Sequence, residues 1–320
     1  MIDASLVLDD ITNFSKDIKP RYRQLVETFN TLNINTVELG GRALKEWDRR
    51  VKDVTPFYMK NLKVFSERTF FVNKRRFKKL RDPIKLVKFV LFLFKKNIRN
   101  FVLHFEYKTV SSQPDLSKKF IYLPLHLQPE LSTCPTGGAM VNQELVVEMI
   151  SSILPKDVYL YIKENPKQGY WCRDRKFYKN ILKINKSIKF VPLKMSTHTL
   201  INNSIAVATV AGTAGWEALF RQKPVLIFGD CFYDSAPGVF KIKSNEDCRL
   251  AMDNIFGRQF NYDENKLKLF LQALSDVSIS SCSAVPAYFA TSALSVEESN
   301  KNISLFLEAY IKDNIFKNSN

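Results

Sequence analysis

The sequence predicts an α/β protein whose second part folds as a doubly wound parallel sheet. After residue 115, short apolar runs alternate with helical stretches. Runs that are apolar throughout are typical of parallel strands that helices cover on both faces. The predicted strands are Phe120–Leu125, Val158–Ile162, Ile188–Val191, Ile205–Val210 and Val225–Phe228, and the helices between them are Asn142–Leu154, Lys176–Ile184, Thr197–Asn203 and Trp216–Gln222. In such a sheet a ligand lies beyond the carboxyl ends of the strands.

The first part of the chain, residues 1–115, is predicted to be mainly helical, with helices at Pro20–Asn30 and Arg42–Val51. The segment Ser111-Ser-Gln-Pro-Asp has the composition of a linker. Residues 116–320 form the predicted second domain, which ends in closing helices at about 263–274 and 296–316. The sequence therefore predicts a basic helical N-terminal domain, 1–115, followed by a Rossmann-like domain.

Composition limits the partners and the compartment. The 320 residues are 45% hydrophobic and 25% charged, which is typical of a globular protein. A net charge of +16 predicts acidic partners such as phosphorylated substrates, anionic lipid or nucleic acid. The five cysteines form no Cys-x-x-Cys pair, which indicates a reducing compartment without a zinc site. Because we find no secretory signal and no membrane-spanning run, we expect a cytoplasmic protein.

Residues 74–99 hold eleven basic residues against one acid, Asp82. Apolar residues lie between the cations, as in a helix that rests on anionic lipid. A core helix with a charged outer face is an equally good interpretation. Nucleic-acid binding ranks third, because the aromatic residues form apolar clusters and no nucleic-acid motif is present. We therefore expect an anionic membrane surface as a partner and no nucleic acid.

The most informative segment is 205–229, which predicts a strand, a small-residue turn, a helix and a second strand. Gly212 and Gly215 allow a ligand to approach the backbone, and Thr213 offers a hydroxyl and an amide. The helix that follows presents unpaired N–H groups to an anion. This unit suits a nucleotide or a sugar phosphate.

Polar residues also follow the other predicted strands, at 126–133, 163–168 and 229–234. Each loop alone has the composition of an ordinary turn. Parallel topology nevertheless brings the carboxyl ends of the strands to one edge. We therefore expect the four loops to converge on one site.

Several of these motifs resemble one family. Leu123-Pro-Leu-His-Leu-Gln-Pro-Glu-Leu-Ser-Thr, Lys163-Glu-Asn-Pro, Thr209-Val-Ala-Gly-Thr-Ala-Gly-Trp-Glu-Ala-Leu and Lys223-Pro-Val-Leu-Ile-Phe-Gly resemble the bacterial capsule and surface-polysaccharide biosynthesis proteins. That group is similar to the Kdo-transferase-like glycosyltransferases of the GT-B fold. The resemblance covers about residues 115–245 and implies a GT-B-like fold. It also implies that the Rossmann-like domain holds a nucleotide sugar, often a CMP-sugar.

The chain departs from the family pattern in two places. Asn165 stands where the family has the histidine of a Lys-Glu-His-Pro motif, and an amide carries no positive charge toward a phosphate. A GT-B enzyme also has two Rossmann-like domains, whereas residues 1–115 contain few strand-like runs. The N-terminal lobe is truncated, reduced to helices, or not legible from pattern.

The candidate catalytic residues are Glu130 and His126. The carboxylate of Glu130 would act as a general base or stabilise an oxocarbenium ion. The alternatives are a surface or helix-start carboxylate for Glu130 and a structural role for His126. The candidate donor-binding residues are Gln128, Lys163, Glu164, Asn165, Pro166, Gly212, Thr213, Ala214, Gly215, Glu217 and Tyr233.

Several donor-binding candidates have ordinary explanations as well. Glu217 would stabilise the helix dipole as readily as it would bind a ribose hydroxyl. Lys163 would neutralise phosphate, although most lysines are simply solvated, and Tyr233 would line the pocket or pack on the sheet edge. No Asp-x-Asp pair or His/Cys cluster is present, and GT-B enzymes commonly work without a metal. We therefore expect no metal and no cofactor other than the donor substrate.

The resemblance implies a glycosyltransferase of capsule or surface polysaccharide biosynthesis, peripheral at the cytoplasmic side of the inner membrane. It would transfer a sugar, expected to be a CMP-linked acidic sugar such as Kdo, to a lipid-linked or oligosaccharide acceptor. Two alternatives stay open. One is a non-catalytic nucleotide-sugar-binding remnant that serves as a partner or scaffold. The other is a nucleotide-sugar epimerase, which also uses the GT-B fold.

Overall fold

The computed structural model describes residues 17–51, 83–129, 133–170, 173, 176–257, 260–281 and 295–312. Within these residues, six strands form one sheet, and every neighbouring pair is parallel. The strands are β1 Lys119–Pro124, β2 Val158–Lys163, β3 Ile188–Phe190, β4 Ala206–Thr209, β5 Val225–Ile227 and β6 Val239–Lys241. Their order is β3-β2-β1-β4-β5-β6, so the direction of winding reverses between β1 and β4.

The described residues also form ten helices. They are α1 Ile18–Thr31, α2 Gly41–Val51, α3 Pro83–Val110, α4 Gln143–Ile153, α5 Phe177–Ile184, α6 Thr197–Asn203, α7 Thr213–Leu219, α8 Asn245–Phe256, α9 Glu264–Val277 and α10 Val296–Ile311. A 3₁₀ turn at Gly138–Val141 precedes α4. In the described part of the chain, no helix combines the length and the apolarity needed to cross a membrane.

The sheet is covered on both faces. On one face, buried β1 side chains such as Ile121 and Leu123 join those of α3, α4, α5 and α8 in one hydrophobic core. On the other face, α7 contacts β4 and β5, and Trp216 of α7 and Leu200 of α6 are fully buried. Burying each large apolar side chain contributes about 1.5–3 kcal/mol. This double covering explains why the strands are apolar at nearly every position.

The chain divides into two compact units, residues 1–62 with 263–320 and residues 63–262. In the first unit, α9 packs against α1 and α2. The ring of Tyr22 meets that of Phe270 edge-on, with centroids 5.5 Å apart. The Arg42 guanidinium donates to the carbonyls of Ser275 and Ser278, each at 2.6 Å. The second unit contains the sheet together with α3 to α8.

The fold class predicted from the sequence is confirmed, and all five predicted strands are present. Strand β6 was missed because it is three residues long and only partly buried. Helix α8 was missed as well. Helix α7 begins at Thr213, three residues before the predicted start. The predicted division after residue 115 stays a prediction, and the tail beyond residue 312 lies outside the described residues.

Candidate functional site

The loops after β1 and β4 meet where the strand order reverses. In doubly wound sheets this reversal opens a crevice between two neighbouring strands, because their connections leave toward opposite faces. The crevice lies beyond the carboxyl ends of the strands, and ligands of such folds bind there. His126 follows β1 and Gly212 follows β4, so both lie at this point of the sheet.

His126 connects the two loops. Its backbone N–H donates to the side-chain oxygen of Gln143 at 2.8 Å, and its Nε2 lies 2.9 Å from the hydroxyl of Thr209 at the end of β4. The backbone N–H of Ala211 donates to the same Nε2 at 3.4 Å, and that of Gly212 donates to the Thr209 hydroxyl at 3.0 Å. Because Nε2 accepts from an amide, we assign the ring proton to Nδ1.

His126 is neutral at physiological pH. Burial, followed by the nearby positive charge of Arg173, lowers the pKa of this imidazole to about 4. A general base works best with a pKa near the operating pH. With a pKa of about 4, His126 is a weak base near neutral pH. Its contacts with Thr209 and Ala211 make it a group that positions the Gly212 turn. Its catalytic role stays a prediction.

The turn after β4 is shaped for a residue without a side chain. A Cβ on Gly212 would lie 2.8 Å from Cε1 of His126 and 2.9 Å from the Thr209 hydroxyl. A Cβ on Gly215 would lie 2.5 Å from the Tyr233 hydroxyl. That hydroxyl donates to the carbonyl of Gly212. Tyr233 is fully buried, so it supports the turn from beneath.

Replacing Gly212 by alanine is expected to destabilise the unit that contains the sheet by about 1–3 kcal/mol, the usual result of overpacking. The new Cβ would push the His126 ring away from Thr209. Urea unfolding followed by circular dichroism measures the effect. Gly40→Ala is the matched control, because a Cβ there has nothing within 4 Å. Equal stability of the two variants would contradict the close packing at Gly212.

Glu164, the first residue after β2, forms a buried ion pair with Arg173. Nε of Arg173 donates to Oε2 of Glu164 at 2.9 Å, and the two side chains are 1% and 4% exposed. The hydroxyl of Tyr178 donates to the same oxygen at 2.9 Å, and the N–H of Asn165 donates to Oε1 at 2.7 Å. Glu164 therefore has its carboxylate oxygens satisfied inside the protein.

Arg173 also holds the loop after β1. One terminal nitrogen donates to the carbonyl of His126 at 3.2 Å, and the other donates to the side-chain oxygen of Gln128. Gln128 exchanges hydrogen bonds with Gln168, at 2.8 and 3.0 Å. Sequence reasoning missed Arg173, since a single arginine in a polar segment carries no spacing signal.

Lys163 is already engaged inside the protein. Its ammonium donates to the carbonyl of Met195 at 2.6 Å and to the hydroxyl of Thr197 at 3.1 Å. Burial lowers the pKa of this lysine. To neutralise a phosphate it would have to leave these partners. Asn165 is half-buried and accepts the N–H of Lys167 at 3.0 Å, while Pro166 is exposed.

The remaining candidates lie around the turn after β4. Thr213 is exposed, and Ala214 is half-buried. Glu217 lies 3.7 Å from Nδ1 of His198 on α6, so its carboxylate is directed toward that helix. The loop after β5 joins the group through the N–H of Asp230, which donates to the carbonyl of Thr136 at 3.0 Å.

The predicted convergence of the four loops is observed. The segment after β1 forms hydrogen bonds with the loops after β2, β4 and β5, through Gln128, His126 and Thr136 respectively. Glu130, the first catalytic candidate, lies outside the described residues. Among the residues that are described, no three His, Cys, Asp or Glu side chains are placed to hold a metal ion. The individual catalytic and donor-binding roles stay predictions.

Fold and site together define a Rossmann-like α/β domain whose strand order reverses between β1 and β4. Residues 112–257 match the family model described as capsule polysaccharide biosynthesis protein. The resemblance seen in the sequence motifs is thereby confirmed for this central part of the chain. No curated protein matches the chain.

Among solved structures, the chain is similar to the β-Kdo 2,7 transferase of Thermosulfurimonas dismutans KpsC, at 17% identity and a TM-score of 0.38. The alignment covers 64% of this chain and 59% of that protein. The UDP-GlcNAc 2-epimerase of Methanocaldococcus jannaschii is similar at 16% identity and a TM-score of 0.37, over 57% of this chain and 48% of the epimerase. The chain thus spans less than two thirds of either protein.

Proposed function

We propose that this protein is a glycosyltransferase of capsule or surface polysaccharide biosynthesis. The observation that carries the proposal is the 2.9 Å contact between His126 and Thr209, which joins the loops after β1 and β4 at the reversal of the sheet. The crevice at such a reversal is where doubly wound domains bind nucleotides. The family match over residues 112–257 directs this binding toward polysaccharide synthesis.

The donor that we propose is a nucleotide sugar, with a CMP-linked acidic sugar such as Kdo as the first choice. Its phosphate would approach the turn after β4 at Gly212 and the exposed Thr213. The neutral ring of His126 would hold the turn in place. The net charge of +16 would attract an anionic donor. Glu130 would act as a general base or stabilise the developing oxocarbenium ion.

The acceptor that we propose is a lipid-linked or free oligosaccharide, and the location is the cytoplasmic side of the inner membrane. A lipid-linked acceptor would keep the enzyme at that surface. We propose no metal, because the donor phosphates would be held by backbone groups.

The first experiment is a binding screen with CMP-sugars and UDP-sugars by isothermal titration calorimetry. We expect at least one donor to bind, and Gly212→Ala to weaken that binding by about tenfold or more, equivalent to about 1.4 kcal/mol. Gly40→Ala should bind as the unmodified protein does. Failure of every CMP- and UDP-sugar to bind would contradict the proposal.

An assay of turnover distinguishes an active glycosyltransferase from a non-catalytic remnant that only binds the nucleotide sugar. Asn165→His restores the histidine of the family motif, and an active enzyme should change its donor affinity, because an imidazolium can face a phosphate. Binding without hydrolysis or transfer, in both the unmodified chain and Asn165→His, would indicate a scaffold. A changed sugar released without any acceptor would indicate an epimerase.

A further inference from the structure

Helix α3 presents an unusual apolar surface to solvent. Six large apolar side chains follow one another at alternating spacings of four and three residues, so they lie on one side of the helix. We call them the outward stripe, and each is between 47% and 71% exposed. The members are Val87, Leu91, Phe94, Ile98, Phe101 and Phe105. The stripe is about 27 Å long at 1.5 Å per residue.

The opposite side of α3 is the one that packs on the protein. Leu103 and Tyr107 are buried in the hydrophobic core. The N–H of Tyr170 donates to the side-chain oxygen of Asn100 at 3.1 Å. The outward stripe is therefore additional to the face that folds the unit. A contiguous exposed apolar stripe of this size marks an interaction site.

Cations border the outward stripe. Lys88, Lys95 and Arg99 are exposed and follow one another along one edge of it. Over residues 83–110, six lysines and arginines face one acid, Glu106, so the helix carries a net charge of +5. A second copy of α3 would bring the same charge against itself. Charge complementarity instead favours a negatively charged partner that also accepts apolar side chains.

We propose that the outward stripe of α3 docks on an anionic lipid surface. The phenylalanines would enter the boundary between headgroups and acyl chains, while Lys88 and Lys95 would reach the headgroup phosphates. Each cation near such a surface strengthens the attraction, and salt weakens it. The proposal places the helix in the interface plane, parallel to the bilayer surface.

The same helix supports the candidate site. The hydroxyl of Tyr107 donates to the carbonyl of Val191 at 2.5 Å and accepts the N–H of Glu164 at 3.1 Å. Docking of the stripe would therefore hold the loop after β2 at a fixed position relative to the bilayer. The benefit for a lipid-linked acceptor rests on the proposed function, whereas the docking itself does not.

The test is co-sedimentation of the full chain with vesicles of phosphatidylcholine alone or of phosphatidylcholine with one third phosphatidylglycerol. We expect binding to the anionic vesicles, much weaker binding to the neutral ones, and release at high salt. The double variant Phe94→Ser/Phe101→Ser should bind at least about tenfold more weakly. Its matched control is Leu250→Ser/Leu305→Ser, since both leucines are 54% exposed on other helices.

The contribution of charge is tested by comparing the variant Lys88→Glu/Lys95→Glu with the control variant Lys179→Glu/Lys183→Glu. Lys179 and Lys183 are exposed lysines of α5. Only the first pair should reduce binding to anionic vesicles. Circular dichroism and urea unfolding without vesicles check that each variant is folded, so this result stays separate from the proposed function. Equal binding of the stripe variant and its control, or no binding to either vesicle, would overturn the proposal. So would a dimer in light scattering that Phe94→Ser/Phe101→Ser dissociates.

Discussion

Arg173→Ala is expected to lower the free energy of unfolding of the sheet-containing unit by about 3–5 kcal/mol, the usual cost of leaving a buried charge without its partner. The carboxylate of Glu164, 4% exposed in the intact pair, would keep only the Tyr178 hydroxyl and the Asn165 amide as partners. The loop after β1 would also lose its bonds from the guanidinium to His126 and Gln128. Urea unfolding of the purified variant measures the loss.

A charge-free double variant separates the ion pair from the packing of the arginine stem. Glu164→Gln together with Arg173→Met removes both charges, so it should be less destabilising than Arg173→Ala. Arg173→Lys should recover only part of the stability, because an ammonium cannot reproduce the forked contacts. A loss below about 1 kcal/mol for Arg173→Ala would mean that water solvates this pair.

An exposed pair provides the comparison. Arg249 on α8 contacts Glu246 at 2.5 Å and Asp253 at 3.0 Å, with half of its side chain in solvent. Arg249→Ala should change stability little, because surface ion pairs contribute little. The contrast between Arg173 and Arg249 tests whether burial, and not the number of contacts, decides the cost.

The sheet was predictable because its physical signal is local. Each strand from β1 to β5 lies in a short, mainly apolar run, and burial on both faces explains such a run between helices. β6 gives no such signal, since Val239 and Phe240 are half-buried and Lys241 is exposed. The pairing with β5 that makes it a strand is a tertiary contact.

The candidate site was predictable only in outline. Parallel topology alone brings the loops after the strands to one edge, so their convergence followed from the sequence. The side chains that hold these loops together could not be predicted from the sequence. Tyr107 reaches Val191 across 84 residues of sequence, and His126 reaches Thr209 across 83. No spacing rule relates residues that far apart, so Arg173, Tyr107 and Thr209 were not found as supports of the site.

The stability of the sheet-containing unit is expected to fall by about 3 kcal/mol between pH 6.5 and pH 4, as a consequence of His126 alone. The folded protein holds the pKa of this imidazole at about 4, whereas its ordinary value is 6.5. As the pH falls through this window, the unfolded chain takes up a proton that the folded protein does not. The contribution of His126 is therefore fully present above pH 6.5 and is lost progressively toward pH 4.

Two measurements check this expectation. In NMR spectra, the Cε1 proton of His126 should not shift between pH 8 and about pH 5, because the ring stays neutral there. In urea unfolding, His126→Gln should remove the part of the pH dependence that the histidine causes, whereas His104→Gln should retain it because His126 is still present. A titration of His126 near pH 6.5 would show that the ring is solvated. The contact with Thr209 would then be too weak to hold the Gly212 turn, and the site would lose the group that joins its two loops.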